Sequence, residues 1–256
     1  YNEYWGYHDG EKRNSRIKRV VEPMLLLNHD WSIDDKSSLE TSIGYQFGEM
    51  GNSRLDYAGG ANPSPAYYQD LPSYYLADTD GPDYEGAYIA QENFINNGQI
   101  NWNRIYDANL TNNQANLNAA YVLYEDRVDD TQLTINSAYN REINENIKVT
   151  ASANYRNLVS DNFAEISDML GGYSYSNIDS FDYLDYNLLS PNSIVSEGDK
   201  FKYHYKMNAE DMSLFSMINF SFNKLEFYVA GDITNTTYQR DGIFENEANA
   251  GNSAGT

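Results

Sequence analysis

Ile147-Lys148-Val149-Thr150-Ala151-Ser152-Ala153-Asn154-Tyr155-Arg156 alternates without a slip: Ile, Val, Ala, Ala and Tyr at odd positions, Lys, Thr, Ser, Asn and Arg at even ones. Successive side chains of an extended backbone point to opposite faces, so this stretch is a β-strand with one apolar and one wholly polar face. Leu39 to Phe47 repeats the pattern, with Leu39, Ile43, Tyr45 and Phe47 against Ser38, Glu40, Ser42 and Gln46. From Asn118 to Asn140 the odd face carries Ala119, Tyr121, Leu123, Leu133, Ile135 and Tyr139, and the parity survives the polar stretch Glu125 to Asp130. One strand of roughly 20 residues follows, where soluble sheets usually hold strands of roughly 3 to 10.

Two further strands are less regular. In Arg16 to Trp31, Met24 to Leu27 is apolar on both faces, and Pro23, which cannot donate to a ladder, marks a bulge or an unpaired edge. In Lys200 to Phe222 the apolar face is odd at Phe201, Tyr203, Tyr205 and Met207 but even at Leu214, Ile218, Phe220 and Phe222. A bulge near Glu210 to Ser213 would reset the phase. Tyr1-Asn2-Glu3-Tyr4-Trp5 reads as the end of another strand, and one more ends near Gln239.

The connections sort by length. Short turns fall at Ser32 to Lys36, Ile143 to Asn146 and Asn223-Lys224; long segments fall at His8 to Ser15, Gly48 to Leu117, Ser160 to Asp199 and from Asp241 onward. The two kinds alternate strictly, as the short periplasmic turns and long extracellular loops of transmembrane barrels do. The expected fold is therefore all-β: an antiparallel transmembrane β-barrel segment with long extracellular loops. About seven strands are too few to close, since bacterial single-chain barrels have at least about 8, so the rest of the wall is expected outside this sequence.

Composition narrows the partners. A net charge of −21, from 38 acidic and 17 basic side chains, repels phosphate backbones and argues against nucleic acid. With no cysteine, neither a disulfide nor a thiolate metal site can form. No apolar run approaches the roughly 20 residues of a membrane-spanning helix, but a barrel leaves no such hydropathy peak. The 24 tyrosines and 10 phenylalanines suit the aromatic girdles of a barrel, although an acid-rich soluble β protein can share them.

Gly48 to Leu117, about 70 residues, is far longer than a connection needs, and such loops are usually functional. Its tyrosines Tyr67, Tyr68, Tyr74 and Tyr75, set among Asn62-Pro63-Ser64-Pro65 and Leu71-Pro72, suit contact with a ligand or glycan, or else pack the loop's own small core. Trp102, a further ligand candidate, has helical spacing with Ile105 and Tyr106. Asp161 is placed to cap a second short helix bearing Phe163, Ile166 and Leu170, which Gly171-Gly172 would end. Asp78, Asp80, Asp83 and Glu85 offer oxygen ligands for a loop-bound divalent cation, but Gly81 and Glu85 stand at the wrong places for an EF-hand. A solvated acidic turn is the competing reading. Lys148, Asn154, Arg156 and Asp232 are expected to face the lumen, Lys148, Arg156 and Asp232 as candidates for ligand contact or else as solvated lining, with Lys202, His204 and Lys206 beside them. Glu125, Asp126, Arg127, Asp129 and Asp130 should form cross-strand pairs above the membrane. No nucleophile with a base partner, phosphate loop or paired-carboxylate motif points to an enzyme.

The segments RIKRVVEPMLLLNHDW from Arg16, NPSPAYYQDLPSYY from Asn62, INWNRIYDANL from Ile100, AYVLYEDRVDDTQLTINSAYNREINENIKVTASANYR from Ala120, GDKFKYHY from Gly198 and FSFNKLEFYVAGDITNTTYQRDGIFEN from Phe220 carry a family likeness. In that order and spacing the chain resembles the barrel of TonB-dependent outer-membrane receptors of the Bacteroidetes type. The resemblance implies a barrel of about 22 strands, occluded by a plug that is not in this chain, that imports ligands with energy relayed by the TonB complex. It implies as partners the remaining barrel and plug, outer-membrane lipid, and a surface lipoprotein. A plugless barrel or scaffold of a secretion or adhesion complex, and a soluble carbohydrate-binding β protein, are the competing readings.

Overall fold

The computed structural model describes residues 1–77, Thr79 and residues 81–255. Two short strands, β1 (Trp5–His8) and β2 (Glu11–Asn14), form a hairpin of their own. The N-terminal strand is therefore not part of the long sheet, and His8 to Ser15 is not a long connection. The cause is local: Asp9 and Gly10 both take positive φ, 49° and 84°, the geometry of a tight turn that Asp-Gly favours.

The main antiparallel sheet has seven strands, though in six lanes. β3 (Lys18–Val21) and β4 (Met24–Asp34) lie end to end along β5 (Ser37–Tyr57). The ladder breaks between them at Glu22-Pro23, the interruption that Pro23 foretells. Opposite the break stands Gly48, where any Cβ would meet the Val21 carbonyl oxygen at 2.0 Å. The connection after β5 carries three helices, α1 (Pro72–Leu76), α2 (Tyr84–Asn97) and α3 (Trp102–Gln114). Then come β6 (Tyr121–Asn144) and β7 (Ile147–Asp168). A second folded connection holds the short pair β8 (Tyr175–Ser176) and β9 (Ile194–Val195), and β10 (Lys200–Phe222) and β11 (Leu225–Gly242) complete the sheet. The order is β11-β10-β7-β6-β5, with β3 and β4 on the far side of β5. Among the described residues the sheet is open, with free edges at β3–β4 and, short of the Gly242–Gly255 bridge, at β11.

At one end the strands meet in two-residue turns: Asp35-Lys36, Glu145-Asn146 and Asn223-Lys224. At the other end sit the folded connections. The strands run further toward that end than their alternation suggests. β5 continues ten residues past Phe47, to Tyr57. β7 continues to Asp168, so the helix expected from Asp161 to Leu170 is strand instead. Helical spacing of Phe163, Ile166 and Leu170 loses because both neighbours, β6 and β10, extend alongside and satisfy its backbone.

Register places each face. Leu27, Ile43, Ile135, Tyr155 and Met212 stand in one cross-strand row, and the polar residues Ser42, Asn136, Asn154 and Ser213 in the next row of the opposite face. The phase of β10 never resets near Glu210 to Ser213: its pairing with β7 is continuous from His204 to Phe220. The single irregularity of that pairing lies between Phe201 and His204, where Lys202 takes a φ of 59°. The change of apolar parity has another cause, because the two faces exchange chemistry with height. Toward the folded connections the polar face gains Tyr203, whose hydroxyl donates to Asp126 at 2.9 Å, and Tyr205, over which Arg240 stacks. There the apolar face turns ionic, with His204 and Asp161 2.8 Å apart.

The buried core lies almost wholly at this folded end. On the polar side Val122, Tyr124, Ala164 and Ile166 pack with Tyr175, Val195 and Phe201. On the other side Tyr121 and Leu123 pack under Ile100, Trp102, Ile105 and Leu170. The two-residue-turn half of the sheet is different: Leu25, Leu27, Leu214 and Ile233 are 62–75 % exposed, and no element covers its apolar face among the described residues.

Candidate functional site

The folded end, here called the cap, is where the sequence-selected tyrosines meet. A 3-10 turn over Tyr68–Asp70 leads into α1, whose Pro72 occupies the first turn, where a missing N–H costs nothing. Tyr67 meets Tyr68 edge to face at 4.9 Å, Tyr68 meets Tyr74 at 5.8 Å and Tyr74 meets Tyr75 at 5.7 Å. The four form one aromatic chain. Tyr68 and Tyr74 are exposed, while Tyr67 and Tyr75 are half-buried.

Trp102 is placed otherwise. It is fully buried, its indole N–H donates to the Arg13 carbonyl at 3.0 Å, and the Arg13 guanidinium stacks on its ring at 4.7 Å. It is a core residue that pins the β1–β2 hairpin to α3, and no face of it is open to a ligand. The expected amphipathic turn is real and longer than expected, capped by Asn101, whose side chain accepts from the Arg104 N–H at 3.0 Å.

Lys148, Arg156 and Asp232 do share the polar face of the sheet with Asn154, but they do not converge. Lys148 sits beside the two-residue turns, in an ion pair with Glu142, whereas Arg156 lies about eight residues, roughly 26 Å, further along β7. His204 and Lys206 belong to the opposite face, across from Phe163 and Asp161. Lys202, in the bulge, turns inward instead: its ammonium lies 3.0 Å from Asp56 and 4.6 Å from the centre of the Tyr124 ring.

Asp78 and Asp80 lie outside the described residues. Asp83 is engaged as the cap of α2, accepting from the Gly86 N–H at 2.8 Å, and Glu85 occupies the first helical turn. No group of three or more His, Cys, Asp or Glu side chains is arranged to hold a metal among the described residues.

Two arrangements go further than a reading of the sequence. Asn109, fully buried on α3, accepts from the N–H groups of Ala120 and Tyr121 and donates to the carbonyls of Tyr121, Met169 and Leu170. One side chain thus ties α3 to the starts of β6 and of the β7–β10 connection. Arg127 contacts carboxylates on three strands: Glu49 on β5, Glu125 and Asp129 on its own strand, and Glu165 on β7. Arg54 pairs with Asp126 on the other face, so the acidic and basic cluster of β6 does form cross-strand pairs. Asn109 carries no motif, and for Arg127, expected among cross-strand pairs, only the register reveals which carboxylates it meets.

A cap cavity of about 530 Å³ opens between Gly59 to Asp70 and the loop bearing Phe181 and Tyr183. Asn62 orients one wall, its amide donating to the Tyr57 hydroxyl at 3.1 Å. Tyr67 belongs to this cavity, and of the selected residues it is the one that does.

No model of a known protein family matches the chain. A comparison with curated proteins likewise finds no match.

Proposed function

We propose that this chain is a stretch of outer-membrane barrel wall with the outward-facing, ligand-capturing loops of a TonB-dependent active importer. The observation that carries the reading is the uncovered apolar face. On β7 it runs from Ile147 to Tyr155, close to the roughly 9–11 residues a tilted strand needs to cross a bilayer. Water would leave that face in unfavourable contact, whereas lipid is its natural solvent. Aromatics flank the band: Phe220 stacks on Phe227 at 4.8 Å near the two-residue turns, and Tyr45 lies beside Phe47 near the cap. The polar face would then line the lumen. A soluble carbohydrate-binding β protein would need a second layer over the apolar face to bury it. Active import, rather than a plugless scaffold, is supported by the resemblance of the quoted segments to TonB-dependent receptors. On this reading the partners are lipid, the remaining barrel with its plug, the TonB complex and a surface lipoprotein.

Arginine placed on alternate positions of β7 tests the membrane reading. Val149→Arg or Ala151→Arg should destabilise the wall by about 2–4 kcal/mol near the bilayer midplane, while Thr150→Arg and Ser152→Arg should be tolerated. Urea unfolding of the full protein in lipid vesicles measures both. Equal tolerance on the two faces would defeat the proposal. Orientation is tested apart from depth: protease added to intact cells should cut within Asn62 to Asp83 and spare Asn144 to Asn146. The reverse pattern would invert the topology.

A further inference from the structure

Ala153 leaves a gap in the apolar face of the sheet. The register sets it between Ser137 of β6 and Leu214 of β10, with Ile233 of β11 beyond. The next row toward the cap carries larger side chains, Ile135, Tyr155 and Met212, and ends in Asn235. Over Ala153 and between these rows lies a groove of about 360 Å³ that crosses from β6 to β11. Three strand spacings of about 4.8 Å make it roughly 14 Å long, close to half of a bilayer's roughly 30 Å hydrocarbon core. Strands of a membrane wall tilt by about 45°, so a groove across them runs obliquely into the layer. Its β11 end is polar at Asn235, while on β6 the same face stays apolar as far as Leu133, so the groove enters hydrocarbon from headgroup level. Glu210 stands at that entrance, on the same face as Met212 and two residues nearer the cap. Its carboxylate accepts from the Tyr155 hydroxyl at 3.2 Å. Its neighbours on that face are Asn157 and Thr237 across the ladder and Asn208 and Met212 along it, none of them basic. A carboxylate at the edge of hydrocarbon without a cation beside it is costly.

We propose that this groove is a binding site for one phosphatidylethanolamine molecule, an acyl chain lying over Ala153 and the ammonium paired with Glu210. The Asn235 and Asn157 amides are placed to donate to its phosphate. An ammonium carries a full positive charge and three N–H donors, which is what an unpaired carboxylate requires. Phosphatidylglycerol offers the same chains and phosphate, but its net negative charge meets Glu210 as a like charge. Phosphatidylcholine keeps the cation and has no N–H to donate. A second copy of this chain could cover the apolar groove but, without a base of its own at that place, would leave Glu210 unbalanced. The inference rests on the reading of the apolar face as lipid-facing.

Native mass spectrometry of the full protein tests it, with release from micelles that hold equal amounts of phosphatidylethanolamine, phosphatidylglycerol and phosphatidylcholine. Phosphatidylethanolamine should be retained about tenfold over either of the others, the worth of one charge-assisted hydrogen bond. Glu210→Gln should abolish that preference. Ala153→Phe, which fills the groove with an apolar ring, should abolish retention itself. Val229→Phe, at an exposed position of the same face nearer the two-residue turns, should change neither. Equal retention of the three lipids, a preference that survives Glu210→Gln, retention that survives Ala153→Phe, or a protein dimer in place of bound lipid overturns the proposal. Fractionation of the same cells reports separately on location. Protein that sediments with the outer membrane, needs detergent for extraction and shows no lipid preference refutes the site alone. Protein that is extracted without detergent refutes the membrane reading, and the site with it.

Discussion

Arg127→Met is expected to destabilise the folded protein by about 3 kcal/mol, at the low end of the cost of breaking a buried ion pair. The magnitude follows from what the guanidinium separates. In the β5–β6–β7 register, Glu49 stands opposite Asp129 and Asp129 opposite Asp161. Four residues further along β6, Glu125 stands directly opposite Glu165. Arg127 lies between these two rows of like charges with its side chain 9 % exposed, while its carboxylate partners are 20–33 % exposed. The partial exposure of the acids is why the low end applies, since water takes up part of the freed charge. Gly51 contributes by what it lacks: a Cβ there would sit 2.5 Å from a Glu125 carboxylate oxygen, so glycine lets that carboxylate lean across the strand. Arg19 shares Glu49 and Glu125 from β3 but is more exposed, and its loss should cost less. Urea titration of the full protein in lipid vesicles measures the effect. Adding Glu125→Gln and Glu165→Gln to Arg127→Met should recover part of the loss. A change below about 1 kcal/mol for the single variant, the range of surface pairs, would show that the cluster is solvated rather than structural.

Asn109→Leu should be comparably severe, about 3–5 kcal/mol, but confined to the cap. The replacement keeps the branching and heavy-atom count of asparagine, with bulkier methyl groups, and deletes every hydrogen bond of its amide. Two backbone N–H groups and three carbonyls then lose a buried partner, and each group left unsatisfied costs about 1–3 kcal/mol. Because the loss is local, opening should be local too. Hydrogen exchange and proteolysis in residues 58–120 and 169–199 should rise sharply, while the half of the sheet at the two-residue turns keeps its protection. Unchanged exchange in α3 would mean that its apolar packing, Trp102 and Ile105 above all, holds the cap without Asn109.

Alternation was enough to locate the long antiparallel sheet of this protein. Ile147 to Arg156 and Leu39 to Phe47 alternate apolar with polar, and a period of two is written directly into neighbouring residues. Pro23 disclosed the break in the edge strand because a missing N–H is a local property. The two-residue turns were legible for the same reason. The Asp9-Gly10 hairpin is equally local, and its turn signal was available to be read. The upper strands were not. From Gly48 to Tyr57 and from Ser160 to Asp168 the face contrast fades, and charged, aromatic and small residues resemble loop until their partners across the ladder are known. The β10 bulge at Lys202 hid for a related reason: the faces change chemistry with height, and a change of chemistry looks like a change of phase in one strand. Tertiary structure decided what long-range pairing supplies, namely Trp102 in the core, Asn109 bridging α3 and β6, and Arg127 among acids drawn from three strands. Sequence neighbours determine which way a side chain points; only strands brought together from far along the chain determine what it points at.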